Sequence, residues 1–134
     1  MLYCINDDTI DLDLLIIENC GPSYSIFKRI LSKNFGSIRY LLRNIQPKKK
    51  VDINNYSDSI YLNFDLRDKG IVFYFRFMNT EYVEFCNYNR LSFQTSDQIF
   101  TLQTDSNIYD FKILNISKHL IFIDRLYKFK MTKL

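Results

Sequence analysis

The chain of 134 residues has no tryptophan, one histidine, two prolines and three glycines, and each shortage excludes something. Gly21, Gly36 and Gly70 stand alone, so no glycine-rich loop is available to cradle a phosphate. The lone His119 has no Ser or Cys placed beside it by the sequence, which leaves a nucleophile–histidine–carboxylate arrangement without its parts. Cys4, Cys20 and Cys86 are odd in number and lack metal-ligand spacing. They read as reduced thiols of a cytoplasmic core; the alternative, a Cys4–Cys20 link, would imply an exported protein. Asp8, Asp11 and Asp13 lack the glycine and closing glutamate of a calcium loop. No apolar run approaches the roughly 18 residues that cross a bilayer. Leu12–Ile17 is interrupted by Asp13 and follows further acids, so it does not read as a signal peptide. The expectation is a cytoplasmic, non-catalytic protein with no cofactor, no metal and no catalytic residue.

What the chain does have is alternation. Ile60, Leu62, Phe64 and Leu66 alternate with Tyr61, Asn63, Asp65 and Arg67, the period of a strand with one buried face. Asp68-Lys69-Gly70 follows as a turn in which Gly70 is free to take positive φ. Ile71–Phe77 is apolar on both faces and reads as central. Four more short strands follow, around Glu81–Cys86, Leu91–Gln94, Phe100–Thr104 and Tyr109–Ile113. The connections are two or three residues of Asn, Asp, Ser and Thr, which suits antiparallel hairpins and is too short for parallel crossovers. From Ile116 the period becomes helical, with His119, Phe122, Leu126 and Phe129 on one stripe and Leu120, Ile123 and Tyr127 beside it. Asn115 or Ser117 can cap this helix.

Charge is segregated in the first third. Residues 1–18 carry five acids and no Lys or Arg, and residues 19–51 carry eight bases and no acid. Thr9–Ile17 reads as a strand ending in a buried run. After Gly21-Pro22-Ser23, the residues Ile26/Phe27, Ile30/Leu31, Phe35, Ile38, Leu41/Leu42 and Ile45 recur at helical spacing, with a break or kink at Gly36. Lys28, Arg29, Lys33, Arg39, Arg43, Lys48, Lys49 and Lys50 form either a solvated face or a surface for an anionic partner, lipid or nucleic acid. A nucleic-acid reader would also interleave exposed aromatics with its bases.

From about residue 58 to 130 the pattern resembles the pleckstrin-homology-like barrel in its small bacterial or GRAM-type versions. The residues that carry the resemblance are Glu81-Tyr82-Val83-Glu84-Phe85, Leu91-Ser92-Phe93, Phe100–Thr104 and Ile108–Ile113, followed by the amphipathic helix. It implies a binding scaffold plugged by its last helix, with the ligand left open. The departures are that the family has seven strands against six here, and that the loop used by lipid-binding members would correspond to the short, neutral Asp68-Lys69-Gly70. The competing architecture is a cystatin-like or α+β roll.

The fold class expected is therefore α+β. An antiparallel meander of six to seven strands forms a curved sheet or partly open barrel, with a C-terminal amphipathic helix and an N-terminal basic helical segment. The chain reads as a single domain, with residues 1–50 as acidic strand plus basic helix and residues 51–134 as sheet plus helix. The expected function is protein–protein interaction, with Tyr61, Tyr74, Tyr82 and Tyr88 as candidate partner surface. The alternatives are an anionic-surface binder through residues 28–50 and a small-ligand carrier or enzyme with a pocket under the helix.

Overall fold

The structure is a computed structural model that describes residues 1–6, 10–23, 37–47, 53 and 58–132. Lys28, Arg29, Lys33, Lys48, Lys49 and Lys50, and the helical reading of residues 24–36, fall outside the described residues. The class is α+β. Among the described residues nine strands form two antiparallel sheets that do not close into a barrel. In chain order they are β1 (Leu2–Cys4), β2 (Tyr40–Gln46), β3 (Tyr61–Leu62), β4 (Phe64–Leu66), β5 (Gly70–Phe77), β6 (Thr80–Asn87), β7 (Ser92–Ser96), β8 (Ile99–Gln103) and β9 (Ile108–Ile113). Helix α1 (Leu12–Cys20) lies between β1 and β2, and α2 (Ile116–Thr132) ends the chain. The first sheet has the order β1-β6-β5-β4 and the second β3-β2-β9-β8-β7.

The six strands expected after residue 58 are present, with one refinement. The first of them is split at Asn63: Tyr61–Leu62 pairs with β2 in the second sheet, while Phe64–Leu66 pairs with β5 in the first. One residue thus carries the chain between sheets. The hairpin turns obey their local chemistry, with Met78 (φ 49°) and Asn79 (φ 63°) both left-handed between β5 and β6.

Two expectations for the N-terminal third are overturned. Thr9–Ile17 is not a strand, because Asp11 caps a helix by accepting from the Leu14 amide at 3.1 Å and Asp13 sits in its first turn, where negative charge is favoured. The buried residues Ile16 and Cys20 are four apart, which is helical spacing. Nor does a helix run through Tyr40–Gln46, which is a strand paired with β9. The register shifts between Leu42 and Asn44, so Tyr40, Leu42 and Ile45 are all buried. A bulge of this kind inserts one residue, so that the buried Leu42 and Ile45 stand three apart, a spacing that a helix shares.

The sheets pack face to face around an aromatic core to which α2 adds His119, Phe122, Leu126 and Phe129. Asn115 caps α2, its Oδ1 accepting from the Lys118 amide at 3.1 Å. A second core lies on the outer face of the first sheet, where Ile16 and Cys20 of α1 cover Val72, Val83 and Phe85. This is why β5 and β6 are apolar on both faces.

Gly70 is required for a reason other than the one its turn implied, since its φ is not in the left-handed region. A Cβ there would lie 2.4 Å from the Cys86 carbonyl oxygen, 2.6 Å from Cys20 Sγ and 2.8 Å from Asn87 Cα. Strand β5 starts where α1 and β6 leave no room for a side chain. Gly70→Ala should therefore lower stability by about 2–3 kcal/mol through overpacking, read as a shift in the urea midpoint at unchanged slope.

Candidate functional site

Three places collect polar or unpartnered groups: the imidazole of His119, the carboxylate of Glu84, and the outer edge of β7 beside α2.

His119 is fully buried, with both ring nitrogens engaged. Nδ1 is 2.5 Å from Tyr40 Oη and Nε2 is 2.8 Å from Thr95 Oγ1. Burial lowers the pKa of the imidazole and holds that of the Tyr40 phenol well above its ordinary value. The neutral ring thus joins α2 to β2 and β7 through two hydroxyl partners. Thr95 is exposed, so the imidazole lies just beneath the β7 edge.

Glu84 is a carboxylate with no exposed surface. Oε1 accepts from Thr104 Oγ1 at 2.8 Å, Ser106 Oγ at 2.9 Å, Tyr109 Oη at 2.9 Å and Asn107 Nδ2 at 3.4 Å. Oε2 meets the Met1 ammonium at 2.7 Å, and Asp105 holds the same ammonium. Burial works against the charged ammonium, but Glu84 and Asp105 outweigh it and raise its pKa. Burial first, and then Glu84, push the Tyr109 phenol far up. Through these hydrogen bonds and the Met1 ion pair the cluster ties β1, β6 and the β8–β9 turn together.

The cysteines are equally quiet. All three are free, and burial pushes Cys20 up to about 12 and Cys86 up to about 11, so neither is a thiolate near neutral pH. No group of His, Cys, Asp and Glu among the described residues is arranged to hold a metal. Two open clefts of about 380 Å³ are present, one lined by Ile10–Asp13, Ile16, Tyr74 and Val83, the other by Pro47 and Thr104–Ile108. Neither lies under α2.

Sites read from the sequence are dispersed. Arg39 and Arg43 are exposed on the approach to β2 and within it, and the Arg39 guanidinium stacks 4.3 Å above the Tyr61 ring. Tyr61 is on the second sheet and Tyr74 on the first, so the two do not form one patch. Tyr82 is partly buried and stacked on Phe75 at 5.6 Å. Tyr88 is core: it is buried and donates to the Arg67 carbonyl at 2.6 Å.

The third place is an edge. β7, Ser-Phe-Gln-Thr-Ser, ends the second sheet and pairs only with β8 among the described residues, in unbroken register from Ser92↔Gln103 to Ser96↔Ile99. The other edge strands have two or three residues. β7 carries no charge, no proline and no bulge, the features that blunt an edge against pairing. Alongside it runs α2, in the opposite direction. His119 reaches Thr95, and eleven residues further on Lys130 Nζ donates to the Tyr88 carbonyl at 2.7 Å and to that of Leu91. On a helix turning about 100° per residue, the residues next round from His119 and Lys130, away from the buried stripe, are Ile116, Leu120, Ile123 and Tyr127. Ile116 (48%), Leu120 (57%) and Tyr127 (56%) are exposed. The stripe thus lies next round the helix from the two side chains that reach the β7 segment. The sequence shows the stripe only as extra width: the apolar arc of α2 is broader than one packing face needs.

No protein-family model matches the chain, and no curated protein matches it significantly.

Two outcomes test the closed polar clusters. Because the folded His119 binds its proton less readily than the unfolded ring, the unfolded state takes up protons first as pH falls below the ordinary 6.5. Stability from this residue is complete above that pH and is lost as pH falls below it; thermal melts should show a drop below pH 6.5 that is smaller in His119→Gln. Glu84→Ala removes the acceptor shared by five donors and should cost about 2–4 kcal/mol by denaturant titration.

Proposed function

We propose that this chain is a non-catalytic protein-interaction module that engages its partner along the free edge of β7 and the exposed stripe of α2. The observation that carries this reading is that, among the described residues, β7 is the one edge strand longer than three residues and lies near exposed apolar residues of α2. An open edge supplies directional backbone hydrogen bonds, and alternate side chains of an added strand would meet the apolar wall, which is how β-strand addition obtains affinity and specificity together. The resemblance to a pleckstrin-homology-like scaffold supports a binding role in general terms, with two antiparallel sheets and a C-terminal helix packed against their core. Three free thiols support a reducing, cytoplasmic setting. The saturation of His119 and Glu84 by their own neighbours supports a role without catalysis.

The anionic-surface reading has less behind it. Of its eight bases, Arg39 and Arg43 are described, and Arg39 is already engaged on Tyr61.

A photo-crosslinking residue placed at Gln94 or Leu120 should capture a protein in cells, while the same probe at Met78, exposed on the far β5–β6 turn, should not. Equal capture at Met78, or none at Gln94 and Leu120, would refute the assignment of this surface.

A further inference from the structure

We infer that the occupant of this surface is a second copy of the chain, related by a two-fold axis through Gln94, so that two five-stranded sheets join as one. The inference rests on reading β7 and α2 as the interaction surface, and three features of that surface single out self-association.

The first is charge. β7 itself is neutral, but it is flanked by opposite charges: Arg90, exposed, precedes it and Asp97, exposed, follows it in the β7–β8 turn. Two copies of β7 running antiparallel bring the Arg90 end of each against the Asp97 end of the other, so both ends of the seam are complementary. Parallel self-pairing would oppose like charges at both ends. Among the described residues Arg90 pairs with Asp105 at the long distance of 3.9 Å, an anion that also holds the Met1 ammonium, and its side chain is exposed toward a second copy.

The second is the match of side chains across the axis. Phe93 faces the core and Thr95 faces His119, while Ser92, Gln94 and Ser96 are exposed on the other face. With Gln94 on the axis, Ser92 lies opposite Ser96 of the second copy, and Phe93 lies opposite its Thr95. Directly opposed residues in an antiparallel pair share a face. Hydroxyls and amides therefore meet outside, Phe93 and Thr95 meet inside, and no like charges are opposed.

The third is the helix. A two-fold axis perpendicular to the sheet keeps both copies of α2 on the same side of it. Since α2 runs antiparallel to β7, the two helices also run antiparallel to each other, their exposed stripes face to face across the seam. Ile116, Leu120, Ile123 and Tyr127 recur at intervals of four, three and four, the spacing of a helix–helix seam. One rotation thus covers the open strand edge and the exposed helix stripe together.

The test is the mass of the purified full-length chain in solution, by sedimentation and light scattering through the micromolar range, on the wild type and on variants at exposed positions. The wild type should double its mass with concentration. Leu120→Glu combined with Ser96→Lys should leave a folded monomer, judged by an unchanged circular-dichroism spectrum. Arg90→Glu should weaken the dimer by about two- to fivefold, and Arg90→Glu with Asp97→Lys should restore it, a rescue that antiparallel two-fold pairing requires. Gln94→Cys in a Cys4→Ser background should be joined into a dimer by a short bis-maleimide. A mass that stays at one chain throughout, or a dimer that survives Leu120→Glu with Ser96→Lys, overturns the inference. If the chain is monomeric while probes at Gln94 and Leu120 capture another protein in cells, the second copy is ruled out and the surface assignment stands. If neither association is seen, both fall.

Discussion

Phe64 is the side chain on which both sheets and the closing helix meet. Its ring lies 5.2 Å from Tyr40, 5.1 Å from Phe73, 5.8 Å from Phe100, 5.0 Å from Phe111 and 5.5 Å from Phe122, counted between centroids. Those partners come from β2, β5, β8, β9 and α2. Each well-placed aromatic pair adds about 0.5–1.5 kcal/mol beyond the area it buries, so the position couples five elements. Phe64 stands directly after Asn63, where the chain leaves the second sheet for the first. The crossing must occur there because the ring has to enter the space between the sheets as the backbone passes over it.

Around that apolar centre the polar groups act as ties between elements far apart in sequence. Glu84 gathers the amino terminus, β6 and the β8–β9 turn, and His119 gathers β2, β7 and α2. A buried polar group without partners would cost more than it contributes, while one with a complete set adds direction to a core that hydrophobic packing alone leaves indifferent. Here both sets are complete. The residue types most associated with chemistry are therefore occupied in holding the two sheets and the helix in place. The surface at β7 and α2 is different: it offers hydrogen-bonding backbone and apolar side chains together with nothing in the described structure set against them.

The scaffold gives that surface its rigidity. β7 hangs on β8, which hangs on β9 and β2 at the centre of the second sheet. α2 is pinned at one end by His119 and at the other by Lys130, whose ammonium satisfies the carbonyls of Tyr88 and Leu91 just before β7 begins. The strand edge and the helix stripe are thus held at a fixed spacing by contacts independent of either one's exposed face. A surface held this way would have little conformational freedom left to lose were it to bind a partner.

By itself the sequence determined the strands after residue 58, their antiparallel sense, the central place of β5 and the start of α2. Each of these is local: alternation, short Asn-, Asp- and Thr-containing turns, and the change to helical period at Ile116 are properties of neighbouring residues. It misdirected where a local pattern has two readings. The bulge in β2 sets the buried Leu42 and Ile45 three residues apart, as a helix would, and the acids before Leu14 read as the outward face of a strand until Asp11 is seen capping α1. Only the tertiary structure decided which reading held, because the choice lies in what each segment packs against: β9 for the first, Val72, Val83 and Phe85 for the second. It alone also decided that Glu84 and His119 are saturated, that Tyr88 is core, and that the spare apolar width of α2 lies beside a free strand edge. Such facts depend on residues brought together across the sheets, and no pattern along the chain records which strand ends at an edge.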